Sequence, residues 1–174
     1  MSYVKLLTIF VVLLCLSGIR VFAQDNMAPP KPLDNKVYES MIGDWTAESD
    51  MMGMKMTQNV SIHWALNHQY IIMELKAVGK DNPKITYGGM GVFGVDEKGN
   101  VKAWWFDDWG AGAMSSGSGT FGDNKIDVTD GNDMFKETRT FAVSGNEMTM
   151  SAKGTMTMNG QETPFNESAI YKKK

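Results

Sequence analysis

From residue 45 onward, hydrophobic and polar side chains alternate with a period of two, in stretches of five to eleven residues. That period places alternate side chains on opposite faces of an extended strand, one face for a core and one for solvent. The alternation predicts strands at 45–50, 55–64, 70–78, 85–95, 101–107, 115–121, 125–129, 135–143, 147–156 and 162–171. Turn chemistry separates them: Asn67-His68, the run 79–83, the run 96–100, Gly122-Asp123-Asn124, the run 130–133, Ser144-Gly145-Asn146 and Asn159-Gly160. Gly and Asn tolerate the positive φ that tight hairpins demand. Ahead of the strands, Leu33, Val37 and Met41 are spaced to share one face of a short helix. Asp34 is placed to cap that helix and Gly43 to end it.

About ten consecutive strands joined by short turns form an antiparallel meander. A sheet that long curls, splits or closes, and closure removes its exposed edges. The expected fold is therefore all-β: a single antiparallel up-and-down barrel of about ten strands with a short N-terminal helix. Gly88, Gly89, Gly91 and Gly94 offer one strand the freedom to bend at a barrel corner.

The chain ahead of residue 34 has a different character. Residues 6–16 form an apolar run behind Lys5, too short to span a bilayer comfortably. Val21-Phe22-Ala23 follows, and the combination predicts a secretory signal peptide over 1–23, cleaved near Ala23. Residues 24–33 hold three of the five prolines and read as an extended tail, leaving 34–174 as the barrel domain. The expected address is secreted or periplasmic, with no membrane span after cleavage. Cys15 is the only cysteine and lies in the signal peptide, so a thiol nucleophile, a cysteine-bound zinc and a disulfide are all excluded from the mature chain. Removal of Lys5 and Arg20 leaves 15 basic against 20 acidic residues, a net charge of −5 without a basic stripe. Nucleic acid is not an expected partner, and Lys172-Lys173-Lys174 reads as a solvated end.

A helix, then Gly43-Asp44-Trp45 on the first strand, then a meander resembles the opening of the lipocalin-like, or calycin, barrels. The segments "IGDWTAES", "YGGMGVFGVD", "KAWWFDDWG" and "KETRTF" are similar to those of a family of small secreted bacterial barrels catalogued only as a domain of unknown function. The resemblance runs from about Leu33 to Tyr171. It implies that Trp45 plugs the closed end of the barrel, under a basic side chain from a late strand. It implies no particular activity. Some related small barrels bind haem through a histidine near the C-terminus, but here no histidine follows His68.

Polar residues among aromatics supply the candidate chemistry. Phe135, Glu137, Arg139 and Phe141 share a face, taken as internal. Charges inside a barrel must be paired or ligand-bound. Arg139 is expected to meet Glu137 or Glu167, to close over Trp45, or to hold an anionic head group. Trp104 and Phe106 share one face of the strand 101–107, with Trp105 on the other. Asp107 and Asp108, as neighbours, point opposite ways and do not form an acid–base pair. Glu167 shares a face with Phe165, Ala169 and Tyr171, while Glu74 falls outside the apolar face of its strand. His63 and His68 lack a carboxylate at metal spacing. The 15 methionines cluster at Met51, Met52, Met54 and Met56, at Met148 and Met150, and at Met156 and Met158. They suit an adaptable apolar lining, with soft-metal binding as the other chemistry open to thioethers.

These features point to a secreted protein that binds a small apolar or amphiphilic molecule inside the barrel. The candidate ligand-binding residues are His63, Trp104, Phe106, Glu137, Arg139, Glu167 and Tyr171, with Trp45 as a structural plug. No catalytic residue, metal ligand or cofactor is assigned. An enzyme using the same cavity, with Arg139 and a carboxylate as polar centre, and a methionine-based copper handler are the alternatives.

Overall fold

The computed structural model describes residues 30–51 and 53–174. The compact unit Pro32–Lys174 carries the fold; the expected signal peptide and most of the expected tail lie outside the described residues. Among the described residues, ten strands follow one α-helix: α1 (Lys36–Met41), β1 (Gly43–Met51), β2 (Met54–Ala65), β3 (Tyr70–Gly79), β4 (Thr86–Val95), β5 (Val101–Asp107), β6 (Ser115–Phe121), β7 (Lys125–Gly131), β8 (Phe135–Ser144), β9 (Glu147–Met158) and β10 (Gln161–Lys173), with a single 3-10 turn at Ala111–Ala113. Each strand pairs antiparallel with its sequence neighbour, and β10 returns to β1, closing the barrel. The all-β up-and-down barrel expected from the alternation is the fold observed.

The closing seam is short. β1 and β10 pair through Trp45↔Lys173 and Thr46↔Lys172, whereas β1 pairs with β2 along its whole length, from Gly43↔Ile62 to Met51↔Met54. The barrel is thus stitched at the end where β1 begins. That end also holds most of the apolar core: Val37, Tyr38 and Met41 of α1 join Trp45, Ile62, Ile71, Phe93, Val101, Ile126, Phe141 and Met148. Helix α1 is held there by its cap and by Tyr38. The cap is Asn35, not Asp34: its extended backbone lets Oδ1 accept from the Val37 and Tyr38 amides at 3.1 and 3.0 Å. Tyr38 Oη donates to the Gly94 carbonyl at 3.1 Å, and its ring meets Trp64 and Phe121 edge-on.

The Gly-x-Trp motif now has a physical reading. Trp45 is fully buried, and its Nε1–H donates to the Met41 carbonyl at 2.9 Å, so one ring fills the end and satisfies its own polar atom. Lys173 lays its ammonium 5.1 Å from the Trp45 ring centroid. Gly43 lies beneath that lysine, in a backbone conformation that favours glycine. Its φ is +132°, and a Cβ there would stand 2.8 Å from Lys173 Cε. The covering cation is therefore Lys173, from the run read as a solvated end, and not Arg139. Its neighbours are engaged too: Lys172 pairs with Glu147, and Lys174 Nζ donates to Asn59 Oδ1 at 2.7 Å.

Trp45→Ala should destabilise the barrel by about 3–5 kcal/mol, the usual cost of deleting a large buried aromatic. Urea unfolding of the variant measures this, and an unchanged midpoint would remove Trp45 from its role as plug.

Candidate functional site

A cavity of about 530 Å³ occupies the opposite end, where β1, β3, β5, β7 and β9 finish. Two strand pairs explain why space is left there. On β9, Ala152 stands in register between Arg139 of β8 and Glu167 of β10, and Gly154 stands between Glu137 and Phe165. Short side chains on one inner face leave long ones on both sides with room between them. The apolar wall is soft: Met51, Met54 and Met56 from the β1–β2 hairpin, and Met150 and Met156 from β9, with Leu75, Trp105 and Phe165. Met54, Ile85, Trp109 and Met114 are exposed around the mouth. Asn132 ties the rim together. Its Nδ2 donates to the Ala113 carbonyl at 2.8 Å, and its Oδ1 accepts from the Met134 and Phe135 amides at 2.8 and 2.9 Å.

One inner wall is polar, and Trp105 is its base. The indole lies against β4, where a Cβ on Gly89 would stand 2.4 Å from Trp105 Cζ2 and one on Gly91 3.2 Å from Cε3. Gly89 thus leaves room for the indole, and Gly91 leaves room for both Trp105 and the Phe93 ring, 2.7 Å from where its Cβ would stand. Above the ring, the Arg139 guanidinium lies 4.7 Å from the centroid. It is bracketed by carboxylates: Nη2 pairs with Asp130 Oδ2, and Nε with Glu137 Oε1 at 3.3 Å. Ser115 Oγ also donates to Asp130 Oδ2, at 3.4 Å. The Asp130 side chain is 1% exposed, and its Oδ1 has no hydrogen-bond partner among the described residues. On the other side, Trp105 Nε1–H donates to Tyr87 Oη at 3.2 Å, and Tyr87 Oη–H donates to Asp107 Oδ2 at 3.2 Å. The polar layer thus runs Asp130, Arg139, Trp105, Tyr87, Asp107, with Glu137 and Glu167 beside it.

Burial raises the Glu137 carboxyl above the ordinary glutamate value; Arg139 opposes that shift, while Asp130 and Glu167 add to it. Burial likewise raises the Tyr87 phenol, which keeps it a neutral donor to Asp107. Asp107 and Asp108 diverge as alternation requires. Asp107 serves the cavity, and Asp108 Oδ2 accepts from the Gly88 amide at 2.6 Å on the rim.

The candidate residues divide three ways. Glu137, Arg139 and Glu167 stand together in the cavity wall. Trp104, Phe106 and His63 do not, because they point outward: Phe106 is 38% exposed, His63 is exposed and Trp104 is half-buried on the outer face. Tyr171 is inside but deeper, fully buried, with its Oη–H donating to Gln58 Oε1. The sequence reading missed Asp130, Tyr87 and Trp105. The run 130–133 reads as a turn, although Ile126, Val128 and Asp130 share one strand face. Trp104 and Phe106 draw attention to the face opposite Trp105, although Lys102 alternates with them and marks that side as solvent.

Unfolding in urea across a pH series separates the two charged partners. Arg139→Ala leaves the Asp130 carboxylate buried and unpaired and should cost about 3–5 kcal/mol at neutral pH. For Glu137 the sign is opposite. Its folded value lies above its unfolded one, so between the two the native state binds more protons than the unfolded state. Stability from this group is therefore greatest below the ordinary glutamate value and declines as pH rises through the folded one. Glu137→Gln should abolish that decline and gain on wild type as pH rises. Parallel profiles for the two proteins would show that Glu137 is not perturbed.

No family model matches the chain, and no curated protein does. Among solved structures it is similar to the crystal structure of Rv2717c from M. tuberculosis, with a TM-score of 0.62 over 80% of this chain and 98% of that one, at 11% identity. At that identity the likeness speaks for the fold.

Proposed function

We propose that this protein binds a small, partly apolar molecule in the open end of the barrel. The observation that carries the reading is the cavity itself: about 530 Å³, walled by methionines and aromatics, with a few convergent polar groups on one side. That is the size and composition of small-molecule sites. The methionines suit an occupant of variable shape, since unbranched thioethers repack at little cost. The exposed rim side chains Met54 and Trp109 give an apolar entry path. The Gly-x-Trp start and the end-plug arrangement support kinship with lipocalin-like carriers, and the apolar run before Ala23 supports export to the periplasm or medium. Among the described residues no helix is long and apolar enough to cross a membrane.

One observation favours a second reading, an enzyme using the same cavity. Glu137, with its raised proton affinity, stands beside Arg139 and Glu167, and a perturbed carboxyl in a cleft is a candidate proton carrier. Binding ranks first because the guanidinium is already engaged by Asp130 and Glu137 as a paired element of the wall. In this second reading Glu137→Gln would abolish conversion of a bound molecule while leaving it bound.

The test uses the neutral fluorophore N-phenyl-naphthylamine and the variant Ala152→Phe, which puts a ring between Arg139 and Glu167. Wild type should enhance the emission of the dye, and the variant should lose most of that enhancement while melting cooperatively. Equal emission from both proteins would place the dye elsewhere and refute the cavity as the binding site.

A further inference from the structure

The sign of the cavity's charge narrows the class of ligand. Arg139 is the lining's cation among the described residues; neither lysine nor histidine joins it. Against it stand Asp107, Glu137 and Glu167 in the lining and Asp130 directly behind. With all ionised the formal charge of this wall is −3. Much of the guanidinium is already committed within the wall: Nη2 and Nε face Asp130 and Glu137, and one face of its plane lies over Trp105. An anionic head group would meet three lining carboxylates at close range in a partly dry site, where repulsion is weakly screened. A neutral apolar occupant would displace water from the same carboxylates and offer nothing in return.

A cation does both tasks. It replaces lost hydration with charge-assisted hydrogen bonds and reduces the negative excess. The buried Asp130 Oδ1, without a hydrogen-bond partner among the described residues, is independent evidence that the wall is under-supplied with donors. Geometry sets where the head group goes. Glu137 and Glu167 flank the short β9 residues Gly154 and Ala152, so the space between them opens onto the methionine wall. Zinc is the less suited cation: no group of three or more histidine, cysteine or acidic side chains among the described residues is arranged to hold a metal ion.

We propose that the cavity is selective for amphiphilic ammonium compounds, with a protonated amine between Glu137 and Glu167 and an apolar chain along Met51, Met54, Met56 and Met156. This rests on the binding function proposed above and specifies its ligand class. Deprotonation of Glu137 favours the complex, so the cation draws a proton off that carboxyl. The groups facing Glu137 are Arg139 on its own strand, Asp130 on β7 and Glu167 on β10, while β9 presents Gly154.

Three probes of matched chain length decide it: decylamine, decanol and decanoate, each titrated calorimetrically and by displacement of N-phenyl-naphthylamine. Decylamine should bind at least about tenfold more tightly than decanol, the value of one charged hydrogen bond, and decanoate should bind most weakly. Glu167→Gln should collapse the amine-to-alcohol ratio. Glu137→Gln, a second variant that removes the adjacent charge, should lower the ratio as well. In wild type the amine affinity should fall as pH drops through the raised Glu137 value, although the amine itself stays charged there. Equal binding of amine and alcohol, a preference for decanoate, or a ratio unchanged in both variants would overturn the proposal while leaving a binding cavity in place. If none of the three probes binds or displaces the dye, the binding function itself falls.

Discussion

The barrel depends on a seam that is stitched at one end. β10 meets β1 through Trp45↔Lys173 and Thr46↔Lys172, and no further pairs extend that ladder toward Met51. Closure by so few pairs needs support from side chains, and Trp45 supplies it. Its ring fills the end, its indole N–H holds the last carbonyl of α1, and Lys173 covers it from the strand that closes the circle. Gly43 belongs to the same device, because its positive φ suits glycine and a Cβ there would press on the end of Lys173. Farther along the seam, β1 and β10 communicate through buried side chains instead of backbone: Tyr171 donates to Gln58, which donates to Ser49 of β1. Buried polar groups satisfied in this way specify register, since a slip of one residue would turn each of them outward.

A one-ended seam has a consequence for function. The unstitched side of β1 carries Met51, and β10 carries Phe165 and Glu167 on the same part of the wall. The cavity is therefore built where the sheet is least constrained by its own ladder. Local stability is lowest where apolar contacts are fewest, and sites that must admit a ligand come from that end of the range. The rim hydrogen bonds of Asn132 and Asp108 limit this freedom on the β4–β8 side, so the hairpin β1–β2 and the start of β10 are the natural places for adjustment.

Period-two alternation made the strand count, the meander and the shared face of Glu137 and Arg139 legible in the sequence, and grouped Glu167 with Phe165, Ala169 and Tyr171. It settles which face a residue takes, but it does not settle height along the barrel axis, which the stagger between strands determines. Tyr171 shows the difference: it shares the inner face with Glu167, yet one full turn of alternation beyond Ala169 carries it out of the cavity and into the core. The strand 101–107 failed for another reason. Both faces bear a tryptophan, and the two aromatics at Trp104 and Phe106 outweighed the lysine that marked their side as solvent. Asp130 was hidden because Asp-Gly-Asn-Asp reads as a turn, while the ladder continues to Gly131 and pairs Asp130 with Glu137. Lys173 was hidden because three terminal lysines carry no alternation to read.

The polar wall is costly to the fold, and its arrangement shows how that cost is contained. Asp130 is the most buried of the carboxylates, and it takes the guanidinium; Glu137, less buried, takes the second contact and retains its proton more readily. Charge is thus neutralised most fully where water is least available, and the excess is pushed toward the cavity, where solvent or a ligand can meet it. A barrel concerned with stability alone would gain from apolar residues at these positions, since hydrophobic replacements of buried ion pairs are often neutral or stabilising. The three apolar residues that flank the cluster on its own strands, Ile126, Val128 and Phe141, are nearly inaccessible and well packed, so the surroundings do not force polarity on the wall. What the carboxylates bring is an excess of acidic groups on one side of an otherwise apolar chamber, which packing alone does not require.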